Sequence, residues 1–296
     1  MNRLKITLDR VVHQILQVNL KKLRVDVADV RSILNPENIH EMRVAARRLR
    51  AAIKIFRNVF SIKTKKIRIK LKKAGTVFGK KRDLDIFSEF IFHFIDANSL
   101  LSIILNRQRD RFGNKIVAML GSQDYHDLIK TLERLKPIRT RQNFSKIFEK
   151  PIGKASKMVL KIAPSIESDV NHMTLHKLRI AIKKLRYVCE FSELFLCQST
   201  RSLVSFIEKL KKIQDILGEH QDAITGILIL TRFKSLLPVE IFLKIKKKYE
   251  LKKLKTRNAF FKIWKKISIG VRWKSNQRNF VCLKEKKSNL MSGQHL

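Results

Sequence analysis

The chain has 296 residues, with 65 Lys and Arg against 25 Asp and Glu, and a formal net charge of +40. A hydrophobic content of 44% at this length is enough to bury a core, which excludes charge-driven disorder of the whole chain. Only 9 Gly and 5 Pro argue against a turn-rich β-sandwich or barrel and against a glycine-cradled nucleotide fold. A compact state this cationic repels itself, so a polyanionic partner is the first expectation.

Apolar residues recur at three- and four-residue spacing almost throughout, which predicts an all-α protein. Ile6, Val11, Val12, Ile15, Leu16, Leu20 and Leu23 mark a first helix. Asn35, Pro36 and Glu37 read as an N-cap, a proline at the first helical position and an acid in the first turn. The helix they open runs to about Phe60. Another spans roughly 63–97, bent near Gly79, and a fourth covers 100–120. Pro137 and the polar stretch Thr140–Asn143 form a boundary. Beyond it come helices near 144–162, 174–196, 201–237 and 239–267, with breaks at Pro164 and Pro238. The expected organisation is four helices twice, residues 1–138 and 139–268, followed by a basic, loosely ordered tail at 269–296.

The halves also repeat in sequence. Residues 40–50 (HEMRVAARRLR) align without gaps on residues 176–186 (HKLRIAIKKLR), with His40, Arg43, Leu49 and Arg50 identical to His176, Arg179, Leu185 and Arg186. A second block follows in each half: Leu71, Lys72, Lys73, Gly79 and Asp83 match Leu210, Lys211, Lys212, Gly218 and Asp222. The offsets are 136 and 139 residues, and two ordered blocks point to internal duplication.

At about 100° per residue, His40, Arg43, Arg47, Arg50 and Lys54 fall within an arc of roughly 80°. Met42, Ala45, Leu49, Ala52, Ile53 and Phe56 point the other way. In the second copy His176, Arg179, Lys183 and Arg186 share the arc, with Leu178, Ala181, Leu185 and Val188 opposite. Each helix thus carries a dry face and a cationic ridge. A lone charged ridge is most often a solvated face, but such faces mix signs, and like-charged i,i+4 pairs each cost roughly 0.2–0.5 kcal/mol. An unfavourable choice made twice suggests a ligand that neutralises it. Arg offers phosphate a planar fork, Lys a mobile charge, and His a titratable donor. Gly79 and Gly218, costly inside helices, suggest close helix approach, and Asp83 and Asp222 are placed to orient basic side chains or cap a helix. Arg82 stands beside Asp83, where the second copy has Gln221.

The three cysteines, Cys189, Cys197 and Cys282, form no C-x-x-C pair, which fits a reducing compartment and gives no metal framework. The apolar runs at 86–95 and 224–230 are too short to span a bilayer, and the N-terminus has no apolar signal core, so a soluble cytoplasmic protein is expected. Walker-type, H-E-x-x-H, G-x-S-x-G and E-x-E-x-K motifs are missing. The expectation is therefore binding without catalysis, metal or cofactor.

Residues 35–50, 79–83, 175–187 and 210–218 resemble, in order, the blocks of the CHAD family (conserved histidine α-helical domain), and the resemblance covers roughly residues 5–265. It implies two four-helix bundles related by a pseudo-twofold axis and a basic surface or channel that binds inorganic polyphosphate, with polyphosphate granules as a further partner. Carried onto this chain, the binding set is His40, Arg43, Arg47, Arg50, Lys54, Lys72 and Arg82 from the first half, with His176, Arg179, Lys183, Arg186 and Lys211 from the second. The second ridge ends in Glu190 where the first has Lys54, so unequal contact is expected. Family members are often fused to a triphosphate-tunnel domain, which is the sole motive for a phosphate-transfer or hydrolysis alternative. A second alternative is nonspecific nucleic-acid binding by the surface that includes the Lys-rich last helix, Lys244 to Arg257.

Overall fold

The computed structural model describes residues 7–24, 33–139, 144–168, 171–195 and 201–267. The polar stretch Thr140–Asn143, Cys197, Cys282 and the tail at 269–296 lie outside the described residues. Among those described the structure is helical, without strands: α1 Leu8–Lys21, α2 Pro36–Ile55, α3 Lys65–Ile91, α4 Leu100–Leu120, α5 Gln123–Arg134, α6 Phe144–Ile162, α7 Pro164–Ser168, α8 His172–Phe195, α9 Arg201–Arg232 and α10 Val239–Ile267. None of these helices is long and apolar enough to cross a membrane.

Local chemistry sets the boundaries. The Asn35 side chain accepts a hydrogen bond from the Glu37 N–H at 2.9 Å, with Pro36 opening α2 as expected. Ser99 and Ser122 cap α4 and α5 in the same way. Pro238 ends the segment after α9, where a 3₁₀ turn, Lys234–Leu236, precedes α10.

One helix departs from the expected four in the first half. The segment between Leu120 and Pro137 forms α5, which seats Tyr125, Leu128 and Leu132 in the core. Its signals are the Ser122 cap, Asp124 in the first turn and the i,i+3,i+7 apolar spacing. The Tyr125 hydroxyl donates to the Leu23 carbonyl at 2.8 Å, tying α5 to the end of α1. The third helix also stops at Ile91 rather than near residue 97, and Phe92–Phe94 form a turn.

Two compact units divide the chain, one of Met1–Arg141 with Glu219–Lys253, the other of Gln142–Gly218 with Leu254–Leu296. Helices α9 and α10, of 32 and 29 residues and about 48 and 44 Å long, each contribute residues to both units. In the first unit α2 packs along α3, with α1, α4 and α5 around them. Its core includes Ile39, Met42, Leu49, Phe56, Phe78 and Phe87. In the second unit α6 packs on α8, and Leu178, Leu185, Cys189, Leu210, Ile213, Phe260 and Trp264 share one buried cluster.

Candidate functional site

The first ridge is built on α2. Its inward face, Met42, Ala45, Leu49, Ala52 and Ile53, is fully buried, and Phe56 follows it into the core at the helix end. Burial of that stripe fixes the helix rotation, so His40, Arg43, Arg47 and Arg50 stand half-buried along the edge and Lys54 stands exposed. Arg43 donates from Nη1 to Asp83 Oδ1 on α3 at 3.3 Å. Gly79, one turn before Asp83, lies against the same guanidinium: a Cβ built there would sit 3.7 Å from Arg43 Nε and 3.9 Å from Cζ. Arg82 is half-buried next to this pair, and its buried Nε makes no hydrogen bond to the described residues. Lys72, two turns before Gly79, is exposed.

His40 senses this concentration of charge. Burial first, then the positive charges of Arg82, Arg43 and Arg47, push its pKa below the ordinary histidine value, with Glu37 opposing. Three guanidinium groups therefore act on one imidazole, and the local potential favours an anion.

The second ridge is built the same way on α8. Leu178, Ala181, Leu185 and Val188 are buried, and His176, Arg179, Lys183 and Arg186 are half-buried at the edge. Gly218 on α9 faces Arg179 as Gly79 faces Arg43, with a would-be Cβ 3.7 Å from Nη2 and 3.9 Å from Nε. The end of the ridge differs. Arg186 donates to Glu190 at 3.1 Å, the two side chains only 11% and 16% exposed, and the guanidinium lies 5.2 Å from the Tyr187 ring centroid. Lys211 is exposed.

Family comparison bears on the same stretch. A model of the CHAD domain matches residues 14–230, which contain both ridges and both glycines. The chain belongs to the CHAD domain family. A solved CHAD domain, that of the plant Ricinus communis, is 23% identical, covers 88% of this chain and 92% of its own length, and superposes with a TM-score of 0.66, a likeness of fold. No curated protein matches the sequence.

Two features of this CHAD domain define what its second repeated block does. Asp83 orients an arginine, which is one of the two roles expected of it. The glycines, expected to permit close helix approach, instead face guanidinium groups; backbone-to-helix closeness falls to Gly75, whose would-be Cβ lies 3.8 Å from Ala46 Cβ. A third feature, not anticipated from the sequence, is the buried carboxylate of Asp85. It accepts from Lys81 Nζ at 2.5 Å and Arg109 Nε at 3.0 Å, which locks α3 to α4 beneath the ridge. The i,i+4 spacing of Lys81 and Asp85 is its only trace in the sequence.

Proposed function

We propose that this CHAD domain protein binds inorganic polyphosphate without turning it over, through the two histidine-headed ridges. The observation that carries the reading is the row of half-buried cations along each ridge, His40, Arg43, Arg47 and Arg50 on α2 and His176, Arg179, Lys183 and Arg186 on α8. A flexible chain with one negative charge per phosphate suits a row of forks and point charges spaced a helical turn apart. The full binding set is His40, Arg43, Arg47, Arg50, Lys54, Lys72, Arg82, His176, Arg179, Lys183, Arg186 and Lys211, and the proposed location is the cytoplasm, on polyphosphate granules.

We also propose that the chain is two duplicated helical halves related by a pseudo-twofold axis. Supporting this, Asp83, Ile86 and Phe87 of α3 and Asp222, Thr225 and Gly226 of α9 line one narrow crevice in the first unit, and each pair stands 139 residues apart. Equivalent positions that meet each other are what a local twofold produces.

The test is a binding series at matched salt with long-chain polyphosphate, RNA, DNA and ATP. Arg43, Arg47, Arg179 and Lys183 changed together to Ala should abolish polyphosphate binding while helical content by circular dichroism is kept. Displacement by RNA at equal phosphate concentration would remove the specificity claim. Metal-dependent phosphate release that disappears in His40→Ala and His176→Ala would overturn the non-catalytic reading.

A further inference from the structure

A glycine inside a long helix destabilises it relative to alanine. Gly79 in α3 and Gly218 in α9 accept that cost at aligned positions, and each has the guanidinium of the aligned ridge arginine as the nearest neighbour of its missing side chain. The distances repeat, 3.7 and 3.9 Å at both. Ordinary contact begins at the Cβ itself, so alanine fits, while any atom beyond Cβ would take the space the guanidinium occupies. In the first copy Asp83, one turn along α3, holds Nη1 of the seated arginine. An arginine pinned this way has already lost most of its rotamer freedom, so less entropy opposes each phosphate contact.

We infer that Gly79 and Gly218 are positioning residues, seats that hold the guanidinium groups of Arg43 and Arg179 in fixed orientation for a phosphate chain. This rests on the polyphosphate reading of the ridges. The seat also selects the cation: a lysine ammonium lacks the fork that lets Arg43 contact Gly79 through Nε while Nη1 holds Asp83, so charge alone does not replace arginine.

The experiment uses the full chain, long-chain polyphosphate and a fixed ionic strength, with affinity and its salt slope measured for Gly79→Ala, Gly79→Ser, Gly79→Leu, Arg43→Ala, Arg43→Lys and the double variant Gly79→Leu/Arg43→Ala. Gly79→Ala should bind within about twofold of the parent, Gly79→Ser about threefold more weakly, and Gly79→Leu about tenfold more weakly, the size of one charge-assisted hydrogen bond. Arg43→Ala and Arg43→Lys should match Gly79→Leu, and the double variant should bind no more weakly than Arg43→Ala alone. The salt slope should drop by about 0.7 in both Arg43→Ala and Gly79→Leu, which loss of stability alone would not produce. Parent-like affinity in Gly79→Leu, or losses that add in the double variant, overturns the seat while leaving the ridge intact. Parent-like affinity in Arg43→Ala and Arg179→Ala together overturns the polyphosphate reading itself. Should Gly79→Leu lose helicity, Gly79→Ser and Gly218→Leu decide the matter, and parent-like affinity in both overturns the proposal.

Discussion

The two ridges agree where an arginine meets a glycine and diverge toward their C-terminal ends. Arg50 is followed by Lys54, Arg186 by Glu190, and the second arginine is drawn into an ion pair largely withdrawn from solvent. The supporting helices differ in the same manner. Lys81 and Asp85 of α3 form a buried ion pair joined by Arg109, whereas the residues 139 positions on are His220 and Ile224, which cannot form such a pair. Instead the buried His220 places Nδ1 3.2 Å from the Lys253 carbonyl. The two repeated blocks thus keep an arginine against a glycine and let the surroundings solve burial by different means. The first ridge emerges as the more cationic, on the more ionic foundation.

The largest expected effect strikes that foundation. Asp85→Ala leaves Lys81, only 5% exposed, without its carboxylate, and should cost about 3–5 kcal/mol, read as a lower midpoint in thermal unfolding. Lys81→Met with Asp85→Leu, which makes the first copy apolar at this level, should recover most of that loss because no buried charge is stranded. Equal losses in the two variants would refute the view that pairing, not packing, matters here.

Next comes the ridge contrast. Arg43, Arg47 and Arg50 changed together to Ala should weaken polyphosphate binding on the order of a hundredfold, against about tenfold for Arg179, Lys183 and Arg186, because the second ridge ends in the acid Glu190 where the first has Lys54. Equal losses would erase the asymmetry. A smaller effect runs the other way: Glu190→Lys gives the second ridge the ending of the first and should tighten binding about threefold, with a steeper salt slope by roughly 0.7.

The smallest effect is in pH. His40 has its pKa lowered in the fold, so between that value and 6.5 the unfolded chain binds more protons than the native one. Its contribution to stability is full above 6.5 and is lost as pH falls through the lowered pKa. A phosphate chain on the ridge favours the imidazolium, so binding takes up a proton and tightens on acidification, by less than tenfold per pH unit for one group. His40→Gln should flatten this dependence in titrations from pH 7.5 to 5.5.

Much of the fold is legible in the chain. The predicted helices at 100–120, 144–162 and 239–267 coincide with α4, α6 and α10, because unbroken 3.6-residue periodicity and flanking Ser, Pro or Gly are local properties. Helix α5 is missed because its apolar positions lie just before a proline that dominates the local pattern. The ridges are legible because a buried stripe on one side of a helix dictates what stands on the other. Arg186 is the instructive case. Its spacing matches Arg50, but whether it stands open or paired turns on Glu190 and Tyr187, and the aligned block ends before both.

Sequence by itself determined the helical class and the two repeated cationic ridges, since periodicity and charge are written residue by residue. Tertiary structure alone decided what the glycines are for and which carboxylate serves which cation. Gly79 lies 36 positions from Arg43 and Asp83 lies 40, and such contacts depend on how α2 and α3 pack. Packing also sets the cost of each charge, because a lysine that is harmless in water must find a carboxylate once a helix carries it inside.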